Sequence, residues 1–118
     1  MVANLDDKLP IQSAEWDVVF SSYCVEHISW RKVRQFIEAV YRILKDDGKS
    51  RFHYGRLTEE QMRWVLDRNE WDDDSSCIIF GGQDYGDNAH KNSLSPTYAM
   101  KLLQDVGFTD IIVLPWEN

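Results

Sequence analysis

The chain has 118 residues with a formal net charge of −7, 43% apolar residues, and five each of Trp, Tyr and Phe. That length suits one domain with enough apolar and aromatic material for a core, and the acidic balance argues against a nucleic-acid binder, whose modules usually carry a basic patch. No apolar run approaches about 18 residues and no basic segment leads into an apolar one, so neither a membrane span nor a secretory signal is expected, and the default location is cytoplasmic.

The first ten residues end in Leu9-Pro10, which breaks regular structure, with Val2-Ala3 as a strand remnant at most. Ile11 to Glu15 is a polar connection. The run from Asp17 to Tyr23, entered through Trp16, is near-continuously apolar in its first half, as expected of a strand covered on both faces. After the polar break at Glu26-His27, Ser29 is a candidate N-cap for a helix from Trp30 to Lys45. Val33, Phe36, Ile37, Val40, Tyr41 and Leu44 follow the helical i, i+3, i+4, i+7 spacing, and that face is expected to pack on a sheet. Asp46-Asp47-Gly48 is a turn and Ser50 to Tyr54 a second strand. Strand, crossover helix and strand make a βαβ unit, the standard way of joining parallel neighbours.

Thr58-Glu59-Glu60-Gln61 is a capping box that opens a helix carrying Met62, Val65 and Leu66 and ending near Asn69. Trp71 to Ser75 reads as a polar turn, and Cys77 to Phe80 as a short strand bounded by Gly81-Gly82. Gln83 to Ser93 is irregular. Ser95-Pro96 predicts the start of a helix stopped by Gly107, and Ile111 to Leu114 a last strand closed by Pro115. Nothing marks a domain boundary, so the chain is taken as a single domain over residues 1–118.

Cys24 and Cys77 have no ligand-like spacing and are expected to be two buried free thiols. Arg31, Lys32, Arg34, Arg42 and Lys45 all fall on the crossover helix, where a solvated outer face accounts for them. Asp84, Asp87 and His90 match no closed ligand set, so no metal site is assigned.

Glu15 to Ile28, reading E-W-D-V-V-F-S-S-Y-C-V-E-H-I, followed by Tyr41 to Gly48, resembles the middle of a class I S-adenosylmethionine-dependent methyltransferase. In that family an F-D-V-V strand precedes E-H-I, a helix and R-x-L-K-P-G-G. Asn4 to Pro10 is similar to the family's D-L-N-x-x-L-P segment, and Met100 to Asp110 to its late helix ending in G-F. No Gly-rich turn of the kind that cradles the cofactor precedes Asn4, and Gly81-Gly82 comes too late to serve. The resemblance thus implies an α/β fold, a partial Rossmann-like methyltransferase sheet with flanking helices, truncated on its N-terminal side.

Carried over residue by residue, the resemblance implies that Asn4 and Leu5 lie against the adenine. It implies that Ser22, Tyr23, Glu26 and His27 line the methionine end of S-adenosylmethionine and the substrate mouth. Asn4 stands where the family usually has Asp. Glu26 and His27 also follow a strand's carboxyl end, where open α/β sheets bind ligands, and an imidazole suits proton transfer near neutral pH. They are the candidate catalytic pair. His90 becomes a candidate substrate-facing residue if its loop folds over that edge.

A half-sheet also leaves the Asp17–Ser22 strand with an unpaired edge and uncovered apolar surface, so a homo-oligomer or a partner chain covering that edge is expected. Two functions compete: methyl transfer to an O, N or C acceptor, aided by a partner or a missing half, and a non-catalytic interaction module derived from a methyltransferase.

Overall fold

A computed structural model describes residues 8–68 and 71–114. Strand β1 (Trp16–Ser22) leads through a 3-10 turn (Val25–His27) into helix α1 (Val33–Ile43) and strand β2 (Leu44–His53). Helices α2 (Glu59–Leu66), α3 (Asp73–Phe80) and α4 (Pro96–Val106) follow, with a second 3-10 turn at Gly86–Asn88. β1 and β2 pair in parallel as a two-stranded sheet, so the βαβ unit is present and the chain is mixed α/β with flanking helices, a partial Rossmann-like arrangement.

α1 forms because its apolar residues recur at helical spacing: Val33, Phe36, Ile37, Val40 and Ile43 are all buried. At about 1.5–3 kcal/mol for each buried large aliphatic or aromatic side chain, this face is a main source of cohesion. Val33, Phe36, Ile37 and Val40 of this face pack in one cluster with Val25, Ile28, Leu94 and Leu102, so α4, the loop before it and the turn after β1 share one core. Tyr41, expected on the buried face, is 46% exposed. Its ring instead meets Phe108 edge-on at 5.2 Å. Lys32, not Ser29, is the N-cap, and no side chain caps the helix; Ser29 Oγ accepts from the Arg31 amide at 3.4 Å, one turn too early.

The carboxyl end of α1 is tied to the segment before β1. The Ala14 and Glu15 amides donate to the carbonyls of Arg42 and Ile43 at 2.8 and 2.9 Å. The Arg42 guanidinium donates to the Ile11 and Leu9 carbonyls at 2.8 and 3.3 Å, which takes Arg42 out of the solvated face assigned to it. Leu44 enters the sheet directly after the helix. The register then jumps from Trp16↔Leu44 to Val18↔Lys49, so the expected turn is a bulge in which residues 45–48 stand opposite Asp17. Gly48 is required there: a Cβ would lie 2.9 Å from the Lys45 carbonyl oxygen and 3.2 Å from that of Asp17.

Other expectations are corrected. Cys77 to Phe80 is not a strand but the second half of α3, because Asp72 accepts from the Ser75 amide at 3.0 Å and starts a helix inside the supposed turn. Cys77 is therefore exposed and Cys24 only half-buried, and neither is the buried thiol expected. α2 has the capping box of Thr58 and Gln61 but ends at Leu66. Ile111 to Leu114 is irregular, with Ile112 80% exposed, since no neighbouring strand receives it among the described residues. β1 is covered on one face only, the other leaving Val18 and Phe20 63% and 61% exposed. α4 follows expectation: Ser95 accepts from the Tyr98 amide, Pro96 opens the helix, and Gly107 at φ 129° ends it.

Candidate active site

The candidate residues gather where the two parallel strands end. Tyr23 follows β1 in a left-handed conformation, φ 53°, which costs a non-glycine residue about 1–2 kcal/mol. Its amide donates to the His53 carbonyl at 2.7 Å, so the last rung of the sheet holds the reversal in place. The Tyr23 ring lies 4.6 Å from the His53 ring, and Ser22 Oγ lies 3.4 Å from His53 Nδ1. No local sequence signal marks His53 as part of this end. Its position follows from the Ser22↔His53 register.

Glu26 and His27 sit one turn further on. Glu26 is 2% exposed, and its Oε2 has no hydrogen-bond partner among the described residues. Its Oε1 lies 3.8 Å from His27 Nε2. His27 Nδ1 is 3.0 Å from the Ala89 carbonyl oxygen. A carbonyl only accepts, so Nδ1 carries the proton and the neutral ring keeps its lone pair on Nε2. The His27 side chain is 24% exposed, leaving it accessible from outside.

His90 joins them, its ring 5.3 Å from that of His27. The segment carrying it is pinned to the post-β1 turn by main-chain and side-chain bonds. The Lys91 amide donates to the Glu26 carbonyl at 2.8 Å, and Asn92 Nδ2 donates to the carbonyls of Val25 and Ile28 at 2.7 Å each. Gly81, φ 82°, allows the close approach on the other side: a Cβ there would stand 2.4 Å from the Asn88 carbonyl oxygen. The His90 amide then donates to the Phe80 carbonyl at 2.8 Å. Asn92 has no local sequence signal, because its bonds reach back more than sixty positions.

Nearby, burial pushes the Tyr54 phenol up, opposed in part by the positive charge of Arg56. Asn4 and Leu5 lie outside the described residues. Asp84 accepts from Asn88, a contact within its own loop, and no cluster of three or more His, Cys, Asp or Glu able to hold a metal occurs among the described residues. No helix among them is long and apolar enough to cross a membrane. Thus Ser22, Tyr23, Glu26, His27 and His90 share the carboxyl end of the βαβ unit.

The family model described as Methyltransferase domain matches residues 1–52, which take in β1, the turn with Glu26 and His27, α1 and β2 as far as Phe52. No curated protein matches the chain. S-adenosylmethionine is the cofactor typical of such domains. The match, laid over the parallel βαβ unit, supports a class I S-adenosylmethionine-dependent methyltransferase-like domain in residues 1–52.

Proposed function

We propose that the chain supplies the carboxyl-end part of a methyl-transfer site that uses S-adenosylmethionine. The observation that carries this reading is the Glu26 carboxylate: buried, with Oε2 lacking a partner among the described residues, beside an imidazole whose tautomer the Ala89 carbonyl sets. Burying a polar atom without a partner is unfavourable, and a ligand donor is one way of completing such a group. The unmet acceptor fits a molecule bearing an ammonium or hydroxyl donor, and the methionine moiety of the cofactor has an ammonium.

When bound, S-adenosylmethionine supplies an electrophilic methyl carbon. Ser22 and Tyr23, at the end of β1, would flank the cofactor, and the family resemblance assigns Asn4 and Leu5 to its adenine side. His27 Nε2 would take the proton of an O–H or N–H acceptor as that atom bonds the methyl carbon and the methyl–sulfur bond breaks to leave a neutral thioether, and Glu26 Oε1 at 3.8 Å would favour the resulting imidazolium. His90, against His27, lines the acceptor side. Such proton transfer contributes about 10²–10⁴-fold, and holding the reactants in line contributes the larger part. The setting is cytoplasmic in this reading.

A second reading, a non-catalytic interaction module, is favoured by one feature: the bare apolar face of β1, with Val18 and Phe20 more than half exposed.

Calorimetric titration with S-adenosylmethionine and its demethylated product tests the choice. Saturable micromolar binding, weakened at least about tenfold in Glu26→Ala, is the expected result; a tenfold loss corresponds to about 1.4 kcal/mol. A folded chain that binds neither compound at millimolar concentration refutes the methyl-transfer site and leaves the interaction module.

A further inference from the structure

The sheet has one face that nothing in the described chain covers. Trp16, Val18 and Phe20 alternate out of it with 48%, 63% and 61% of their surfaces open. In the parallel register Lys49 stands beside Val18 and Arg51 beside Phe20, so both cations emerge on the same face, and both are exposed. Neither has an ion-pair partner among the described residues. Parallel strands are almost always buried on both faces, and an apolar row rimmed by charge marks an interface. The complement of this surface is an apolar stripe with carboxylates beside it.

α2 has that chemistry. Of its residues only Val65 is buried, while Met62 and Leu66 are 47% and 66% exposed. Four positions apart, they lie on one side of the helix, and Glu59, three before Met62, lies on the same side. The capping box of Thr58 and Gln61 makes the short helix a defined surface. Among the described residues Glu59 pairs with Arg63, an exposed contact at 2.6 Å that contributes little to stability.

The geometry points to a second copy of this chain as the occupant of the bare face. In a reciprocal dimer, α2 of each copy lies across β1 and β2 of the other. Met62 and Leu66 cover Val18 and Phe20, and Glu59 meets Lys49 and Arg51. A two-fold axis repeats the contact, so both unsatisfied surfaces are used twice and the assembly closes instead of growing into a fibre. Charge matching explains why the cations sit on this face in a chain of net charge −7. The surface is distinct from the residues at the carboxyl end of the sheet, and the inference holds whether or not the chain transfers methyl groups.

Sedimentation velocity of the full chain at micromolar concentration reads the outcome, with circular dichroism as a check that each variant is folded. The wild type is expected to sediment as a dimer, and Phe20→Glu and Leu66→Glu each as a folded monomer. Both substitutions fall on exposed side chains, so the fold should tolerate them. Lys49→Glu with Arg51→Glu should weaken association by about tenfold or more, and adding Glu59→Lys should recover most of it. A monomeric wild type overturns the proposal. So does a dimer lost in Phe20→Glu but kept in Leu66→Glu, since the bare face would then be covered by something other than α2.

Discussion

Replacing Glu26 by leucine is expected to stabilise the chain while removing its ligand binding. The carboxylate is 2% exposed and its Oε2 meets no donor among the described residues, a defect that costs about 1–3 kcal/mol in the folded state. What the substitution removes is small. Oε1 stands 3.8 Å from His27 Nε2, beyond hydrogen-bond length, and a partly exposed pair of that kind contributes at most about 1 kcal/mol. The bond from the Lys91 amide goes to the Glu26 main-chain carbonyl, which any residue retains. Leucine would fill a similar volume beside Val25 and Ile28, both buried. The balance is a gain of about 1–2 kcal/mol, or roughly 4–8 °C in Tm for a domain of this size. Thermal and urea denaturation of the wild type, Glu26→Leu and Glu26→Gln measure it, with glutamine expected in between. A leucine variant that melts several degrees lower would mean that Glu26 is held by a protein donor as a structural residue, and the methyl-transfer reading would lose the observation on which it stands.

Thr58→Ala should loosen α2 by about 1 kcal/mol, because the Thr58 hydroxyl accepts from the Gln61 amide while the Gln61 side chain accepts from the Thr58 amide; faster amide exchange confined to α2 is the signature, and unchanged exchange would contradict it. Gly107→Ala should cost about 1–3 kcal/mol in urea denaturation, since φ is 129° and a Cβ would stand 3.0 Å from the Tyr41 ring; a neutral result would mean that the end of α4 relaxes freely. The Asp72 carboxyl is held low, first by the Ser75 amide and further by the Ser75 hydroxyl and Arg68, against the opposing effect of desolvation. Its contribution to α3 is therefore present above the ordinary carboxylate range and lost as pH falls through the depressed value. Exchange at the α3 amides should accelerate there in the wild type and not in Asp72→Asn, which keeps a neutral cap; equal behaviour of the two would refute the assignment.

The parts of this fold that were legible in the sequence are those set by local rules. The spacing of Val33, Phe36, Ile37 and Val40 identifies α1, and Thr58 with Gln61, or Ser95 with Pro96 and Gly107, mark helix ends by hydrogen bonds within a few residues. The failures come where local signals compete or a partner is needed. Ile78 and Ile79 favour a strand, yet Asp72 bonding Ser75 commits the segment to a helix, and no strand pairs with it among the described residues. Ile111 to Leu114 has strand composition but no ladder to join among the described residues. At the candidate site, the Glu26-His27 pair stands out by resemblance and by following a strand. The approach of His90 to His27 depends on the space at Gly81 and on Asn92 bonding two distant carbonyls, which no periodicity records.

The central claim is that Ser22 to His27, with His90, forms a ligand site at the carboxyl end of the βαβ unit. Titrating the isotopically labelled chain with S-adenosylhomocysteine and following backbone amide and imidazole resonances by NMR tests it most directly. The account predicts saturable shifts at Ser22, Tyr23, Glu26 and His27 and in the Ala89 to Asn92 segment, with much smaller ones around Asp72 in α3. No saturable shifts, or shifts confined to surfaces away from these residues, would contradict it.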